Sequence, residues 1–414
     1  MKAIGILLFG LLFFQLTWSQ NDSCKENQKQ CNQYFNDKEY QKAYDAWLEL
    51  KKTCAKSDES VVLLGAKILQ YNVEASDASE KEKKVRDLLA LFDLYDQYFP
   101  QNQNGNNEKR AMALHENKLG TPDEIFNYLN LAFKNQKNTF TNPRAIYLYF
   151  ELYYNQFKAK GVSFADLMSK YSDIISLIEE NSQKQVNQKS EYDRVRMGIE
   201  AWMQNVITCD DLNTYVNQNF TANQKNQQWL GAVANVLYTK CVHVPMFGTV
   251  AQAYYTLKAT SKSAFYMATY KLKSANQEEA IKFFTESIEL SDNKLEKANR
   301  SYTIASILAL SDKAKAAEMI QNAIVNDPAS GIYYVFLANL YDAAAQECAS
   351  NDNEKKAIYK LASDTVLKAG EVEPRFKQTA KTSSDEYLKK VTFEGKTKPK
   401  SIKVGCWINQ KVQF

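Results

Sequence analysis

Residues 274–293 read SANQEEAIKFFTESIELSDN, and Ala280, Ile281, Phe284, Ile288 and Leu290 fall on one side of an α-helix with Gln, Glu and Lys on the other. A helix with one apolar stripe needs a neighbour to cover it. The preceding SAFYMATYKLKS (263–274) has the pattern of that neighbour, and the two segments predict an antiparallel helix pair. Ala280 is small where the helices approach closely, and Phe284 fills the space one turn later. The pattern repeats in AKAAEMIQNAIVNDP (314–328), where Ala316, Ile320, Ala323 and Pro328 take the matching places, 36 residues after the first set. A third copy opens with GIYYVFLANLYDAAA (331–345) and closes with LKAGEVEP (367–374), stretched by the polar insert SNDNEKK (350–356).

The beginning of the chain has the same grammar. In CKENQKQCNQYFNDKEYQKAYDAWLELKKTC (24–54), Tyr40, Ala43, Tyr44, Trp47, Leu48 and Leu50 follow a polar break at helical spacing, after a stripe of Cys31, Tyr34 and Phe35. Tyr, Ala, aromatic and Pro at fixed offsets over about 34 residues is the tetratricopeptide pattern. The middle is more degenerate: residues 60–76 with 84–100, 142–181, 191–220 and 226–257 read as further pairs, while QNQNGNN (101–107) reads as a mobile loop. The predicted fold is all-α, a tetratricopeptide-like solenoid of about nine helix pairs, each hairpin sheltering its neighbour's apolar face. With only 13 Gly and 7 Pro in 414 residues, turns are too sparse for an all-β chain. The expected organisation is a signal peptide at 1–19, the repeat array at 20–373, a capping helix at 374–390 and a tail at 391–414. The tail's β-branched residues and Gly395, Pro399 and Gly405 suggest a short hairpin, pinned by Cys406 and Trp407.

Residues 1–19, MKAIGILLFGLLFFQLTWS, combine Lys2, a short apolar run and small residues before Gln20, as a cleaved secretory signal does. The NDS before Cys24 lacks the apolar residue of a lipoprotein box, and no second apolar run is long enough to span a membrane. A net charge of +4, or +3 once Lys2 leaves with the signal, without a dense basic patch makes no case for nucleic acid. In an exported chain, seven cysteines suggest three bridges and one leftover thiol, and none of their spacings matches a zinc site.

Over nearly its whole mature length the chain resembles secreted tetratricopeptide-repeat proteins of Bacteroidota. The likeness lies in the Cys-flanked first repeat, LLGAKILQYNVEAS followed by LLALFDLYDQYFP, CDDLNTYVNQNF, AIYKLASDTVLKAGEVEP and the closing VGCWINQ. It implies the fold and an exported setting, and no activity. In the first hairpin, Cys24 starts one helix and Cys54 ends the other, side by side as a disulfide requires, while Cys31 faces the partner helix as a buried thiol. Cys209 and Cys241 occupy corresponding places about one repeat apart, and Cys348 with Cys406 is left by elimination. Sequence alone does not determine the connectivity. In the tetratricopeptide scheme the first helices line a concave face, which would put Phe265, Thr269, Lys273, Ser301, Ala305, Val335 and Asn339 along a partner groove. The Lys, Asn and Arg set of the peptide-carboxylate clamp is missing from those offsets.

Chemistry has few candidates. The two histidines, His115 and His243, are solitary, and the paired acids Glu179–Glu180, Asp210–Asp211 and Glu278–Glu279 point about 100° apart on helices with polar flanks. There is no glycine-rich phosphate loop and no nucleophile elbow. The expectation is a protein without catalytic residues, cofactor or metal, which binds a protein or peptide partner of the cell envelope in its groove. The alternative is a glycan-binding module using the aromatic surplus of AIYLYFELYY (145–154) and GIYYVFLANLY (331–341). Export to the periplasm, with association at the outer membrane as one setting, completes the expectation.

Overall fold

The computed structural model describes residues 23–102, 104–393 and 399–414; the signal-peptide assignment at 1–19 lies outside them. They form nineteen α-helices and one two-stranded sheet. The chain divides into two compact units, Met1–Trp202 and Met203–Phe414.

In the first unit, α1 (23–36) and α2 (Tyr40–Thr53) make the first hairpin. It is followed by α3 (Glu59–Ala75) with α4 (Lys81–Tyr98), α5 (Asn106–Glu116) with α6 (Pro122–Asn135), and α7 (Pro143–Lys158) with α8 (Phe164–Lys184). Helix α9 (Lys189–Val206) crosses the boundary. The second unit continues with α10 (Cys209–Asn223) and three consecutive hairpins: α11 (Gln227–Lys240) with α12 (Pro245–Leu257), α13 (Ser261–Lys273) with α14 (Gln277–Glu289), and α15 (Lys294–Leu308) with α16 (Lys313–Asn326). Then come α17 (Gly331–Ala344) with α18 (Asp352–Val372), α19 (Lys377–Lys389), and the strands β1 (Ser401–Val404) and β2 (Gln410–Gln413). From α2 to α8 in the first unit and from α10 to α19 in the second, each helix packs on the next, and first helices also touch across the repeat, as in α5 with α7 and α11 with α13. This is the tetratricopeptide-like arrangement of stacked hairpins.

Local chemistry sets the helix starts. Asp58, Thr121, Asn142, Ser163, Thr208, Asn226, Thr260, Asn276, Asn293, Asp312 and Asn351 each accept a hydrogen bond from a backbone N–H of the turn they cap. The small and bulky positions do what their spacing requires: Ala280, Ala316, Ile320 and Ala323 are fully buried, and Phe284 nearly so. Leu290, assigned to the same stripe, is exposed, because α14 ends before it and Ser287 completes the buried face.

Two expectations for polar stretches need correction. In QNQNGNN, Asn106 and Asn107 already belong to α5, and Asn106 is fully buried because its amide donates to Asp96 Oδ1 at 2.7 Å. The reading missed the α5–α6 hairpin that begins there. In SNDNEKK, all but the first two residues form the first turns of α18, capped by Asn351. At the C-terminus β1 and β2 pair antiparallel, with Ile402 opposite Val412, and the Trp407 ring stacks on Tyr341 at 5.8 Å.

Three cysteine pairs lie at disulfide distance: Cys24 with Cys54, Cys209 with Cys241 and Cys348 with Cys406, with Cα separations of 5.9, 5.4 and 5.3 Å. Cys31 is a buried thiol whose Sγ lies 3.2 Å from Ala43 O, and burial pushes its pKa up to about 11. No helix among the described residues is long and apolar enough to cross a membrane.

Candidate functional site

A cavity that could receive part of another molecule lies between first helices of the first unit. Val61, Gly65 and Ile68 turn one side of α3 into the core, while Leu63 and Ala66 remain half-buried on another. Across from them α5 presents Met112 and Ala113, with Phe92 behind from α4. Between these groups is a cavity of ≈ 510 Å³, and its polar edge includes Lys67, Gln70, Asn104, Lys109, Glu116 and Asn142. A more polar recess of ≈ 350 Å³ shares Glu116 and Asn142 with it and continues to Arg144, Gln188 and Glu191. An apolar floor with a rim of amide, ammonium and carboxylate groups suits one large side chain and its flanking peptide bonds. It gathers no nucleophile with a base.

Glu108 braces the far wall. Its Oε2 accepts from the backbone N–H groups of Thr141 and Asn142 at 2.9 and 3.1 Å, holding the segment that starts α7. Burial raises its pKa above the ordinary carboxylate value, against the lowering effect of those two donors. The same desolvation lowers the Lys109 ammonium. Because the folded state binds the Glu108 proton more tightly than the unfolded chain, this group favours folding more as pH falls through its raised pKa. Glu108→Gln keeps an acceptor oxygen and removes the buried charge. The variant should therefore melt above the wild type at about pH 7 and lose that advantage toward about pH 4. Parallel thermal melts followed by circular dichroism measure the difference.

The groove residues assigned from the repeat scheme in the second unit do not form one open surface. Ser301 and Ala305 are fully buried and Thr269 is nearly so, its Oγ1 donating to Phe265 O at 2.9 Å within the helix. Val335 is half-buried against the C-terminal core, and only Lys273 and Asn339 are exposed. Asn339 Oδ1 accepts from Tyr387 Oη of α19 at 3.0 Å. The reason is rotation of α15 about its own axis: Ala298, Ser301 and Ala305 form its packing stripe, leaving Asn299 and Ser306 outward.

Phe265 is also covered. The Arg300 guanidinium carbon lies 5.3 Å from its ring centroid, and Tyr238 and Phe284 pack on it at 5.0 and 6.0 Å. Sequence reasoning missed Arg300, although Glu296 four residues earlier is the signal of a paired arginine. Its Nη1 donates to Ser261 Oγ at 2.6 Å and Ser287 O at 3.1 Å, while Nη2 meets Glu296 at 2.9 Å.

The aromatic surplus is largely used inside the hairpins. Tyr149 and Phe150 are fully buried, and Trp202 lies between Tyr147 and Tyr154, with centroids 4.6 and 5.6 Å away. Lys170 fills the space among Phe133, Tyr149 and Tyr153, 4.3 Å from the first ring, and donates to Tyr149 Oη at 3.0 Å. Other tyrosines join successive first helices: Tyr266 donates to Asn235 and Tyr333 to Asn299, at 3.0 and 3.1 Å, as Tyr387 does to Asn339. His115 and His243 are exposed. Among the described residues no group of three or more His, Cys, Asp or Glu could hold a metal ion.

No family model matches the chain, and neither does any curated protein. Solved structures similar to it include the APC/C hetero-tetramer Cut9–Hcn1, at 12% identity over 87% of this chain and 78% of that one, with a TM-score of 0.30. Yeast Tom70 matches at 11% over 89% and 96%, TM-score 0.28, and a monomeric IFIT1 mutant with Gppp-AAAA at 13% over 77% and 74%, TM-score 0.33. Scores this low carry no argument, and the repeat class rests on the hairpin packing described above.

Proposed function

We propose that the chain is a non-catalytic scaffold that binds a segment of a partner protein in the groove lined by its first helices. The setting is an exported one, in cell-envelope assembly, secretion or surface organisation. The observation that carries this reading is the ≈ 510 Å³ cavity between α3 and α5, apolar at its floor and polar at its edge. An extended peptide presents that combination of side chain and backbone. The signal-like N-terminus and the three cysteine pairs support a disulfide-permitting compartment. The glycan alternative has less support, since Tyr149, Phe150, Tyr333 and Tyr341 of the two aromatic clusters pack inside.

A photo-reactive amino acid placed at Lys67 on the cavity rim should give a discrete protein adduct in cells. The same group at Asp87, on the exposed side of α4, should not. Adducts at both positions alike, or at neither, would overturn the assignment of this groove.

A further inference from the structure

The end of the chain has a charge character of its own. Residues 375–414 carry ten Lys and Arg against three Asp and Glu, whereas residues 1–374 carry 42 against 45. Within this basic segment, α19 approaches α18 so closely that a Cβ on Gly370 would lie 2.9 Å from Lys377 Cα. Beside that contact opens a cleft of ≈ 850 Å³, floored by Leu367, Gly370, Pro374 and Ala380 and edged by Glu371, Arg375, Lys377 and Lys381. Arg375 is paired with Glu373. Lys377 and Lys381 form no ion pair among the described residues, and Leu367 keeps 39% of its surface exposed.

A floor exposed at Leu367 and Pro374, beside the Lys377 and Lys381 ammonium groups that outnumber the Glu371 carboxylate on the edge, favours a partner that brings both an apolar side chain and negative charge. A flat lipid surface supplies the charge but does not reach into a recess. A nucleic acid needs a longer track of cations than these few side chains provide. A peptide meets both requirements.

We propose that the cleft between α18 and α19 docks an acidic segment of a partner protein. One large apolar side chain enters against Leu367 and Ala380, and flanking Asp or Glu carboxylates meet Lys377 and Lys381. None of the residues of the α3–α5 cavity takes part, so this site stands or falls independently of that groove.

The test uses the full chain and a short fluorescent peptide of Asp and Glu around a central Leu, read by anisotropy. Saturable binding is expected, weakened by added salt. Lys377→Glu with Lys381→Glu should weaken it by about tenfold or more, whereas Lys51→Glu with Lys52→Glu on α2 should leave it unchanged. Both positions of the first pair are exposed, and an unaltered melting curve will show that the variant folds. Binding that survives the first reversal overturns the proposal. So does equal affinity for a peptide with Ser in place of Leu, or binding of phosphatidylglycerol vesicles without binding of the peptide.

Discussion

Replacing Trp47 with Ala is expected to lower the stability of the first unit by about 3–5 kcal/mol, the range for losing a buried tryptophan without collapse of the cavity. The indole is essentially fully buried, and its Nε1 donates to Val61 O at 3.0 Å across the α2–α3 contact. Gly65 lies so close beneath it that a Cβ at that position would overlap the ring, which leaves α3 little with which to refill the void. In a stack of hairpins, stability is a sum of nearest-neighbour terms, so the loss should concentrate in α1 through α4. Urea unfolding gives the magnitude, and amide hydrogen exchange gives the location. A change below about 1 kcal/mol would mean that the neighbouring side chains close the gap.

Arg300→Ala should cost about 3 kcal/mol in the second unit, as expected when one partner of a buried polar network is removed. Its guanidinium satisfies Ser261 Oγ and Ser287 O and covers Phe265, tying α13, α14 and α15 together. Burial lowers its pKa despite Glu296, so the charge is held there by directed hydrogen bonds and not by favourable solvation. Nη1 serves Ser261 and Ser287 while Nη2 meets Glu296, and the single ammonium of Lys has no second nitrogen to do both, so Arg300→Lys should recover less than half of the loss. Urea titration of the three proteins decides the point, and full recovery by Lys would show that charge alone matters.

The hairpins were legible where a small residue and a bulky one mark the close approach of two helices, as Ala280 with Phe284 and Ala316 with Ile320 do. Helical spacing reports that geometry directly. The α5–α6 hairpin was hidden because α5 buries polar groups. Asn106 and Arg110 are inside, each donating to Asp96 from α4 at 2.7 Å. Periodicity of apolar residues has no way to register a buried asparagine whose partner comes from another helix. The candidate site was hidden for the opposite reason. Leu63, Ala66 and Met112 look like core, and only the spacing between α3 and α5 leaves them facing a cavity. Ser301 and Ala305 erred in the other direction, since a small residue suits an open groove and a tight helix contact equally well, and rotation about the helix axis decides between them.

Every cross-link in this chain is local. The paired cysteines are 30, 32 and 58 residues apart, and no ring encloses a cysteine of another pair. Each ring can therefore close within its own stretch of chain, without competition from the cysteines of another pair. Cys31 sits inside the first ring, yet its raised pKa keeps the nucleophilic thiolate scarce once the hairpin has formed. Oxidation in strict chain order would join Cys24 to Cys31, so the first hairpin must form and bury Cys31 for Cys24 to meet Cys54.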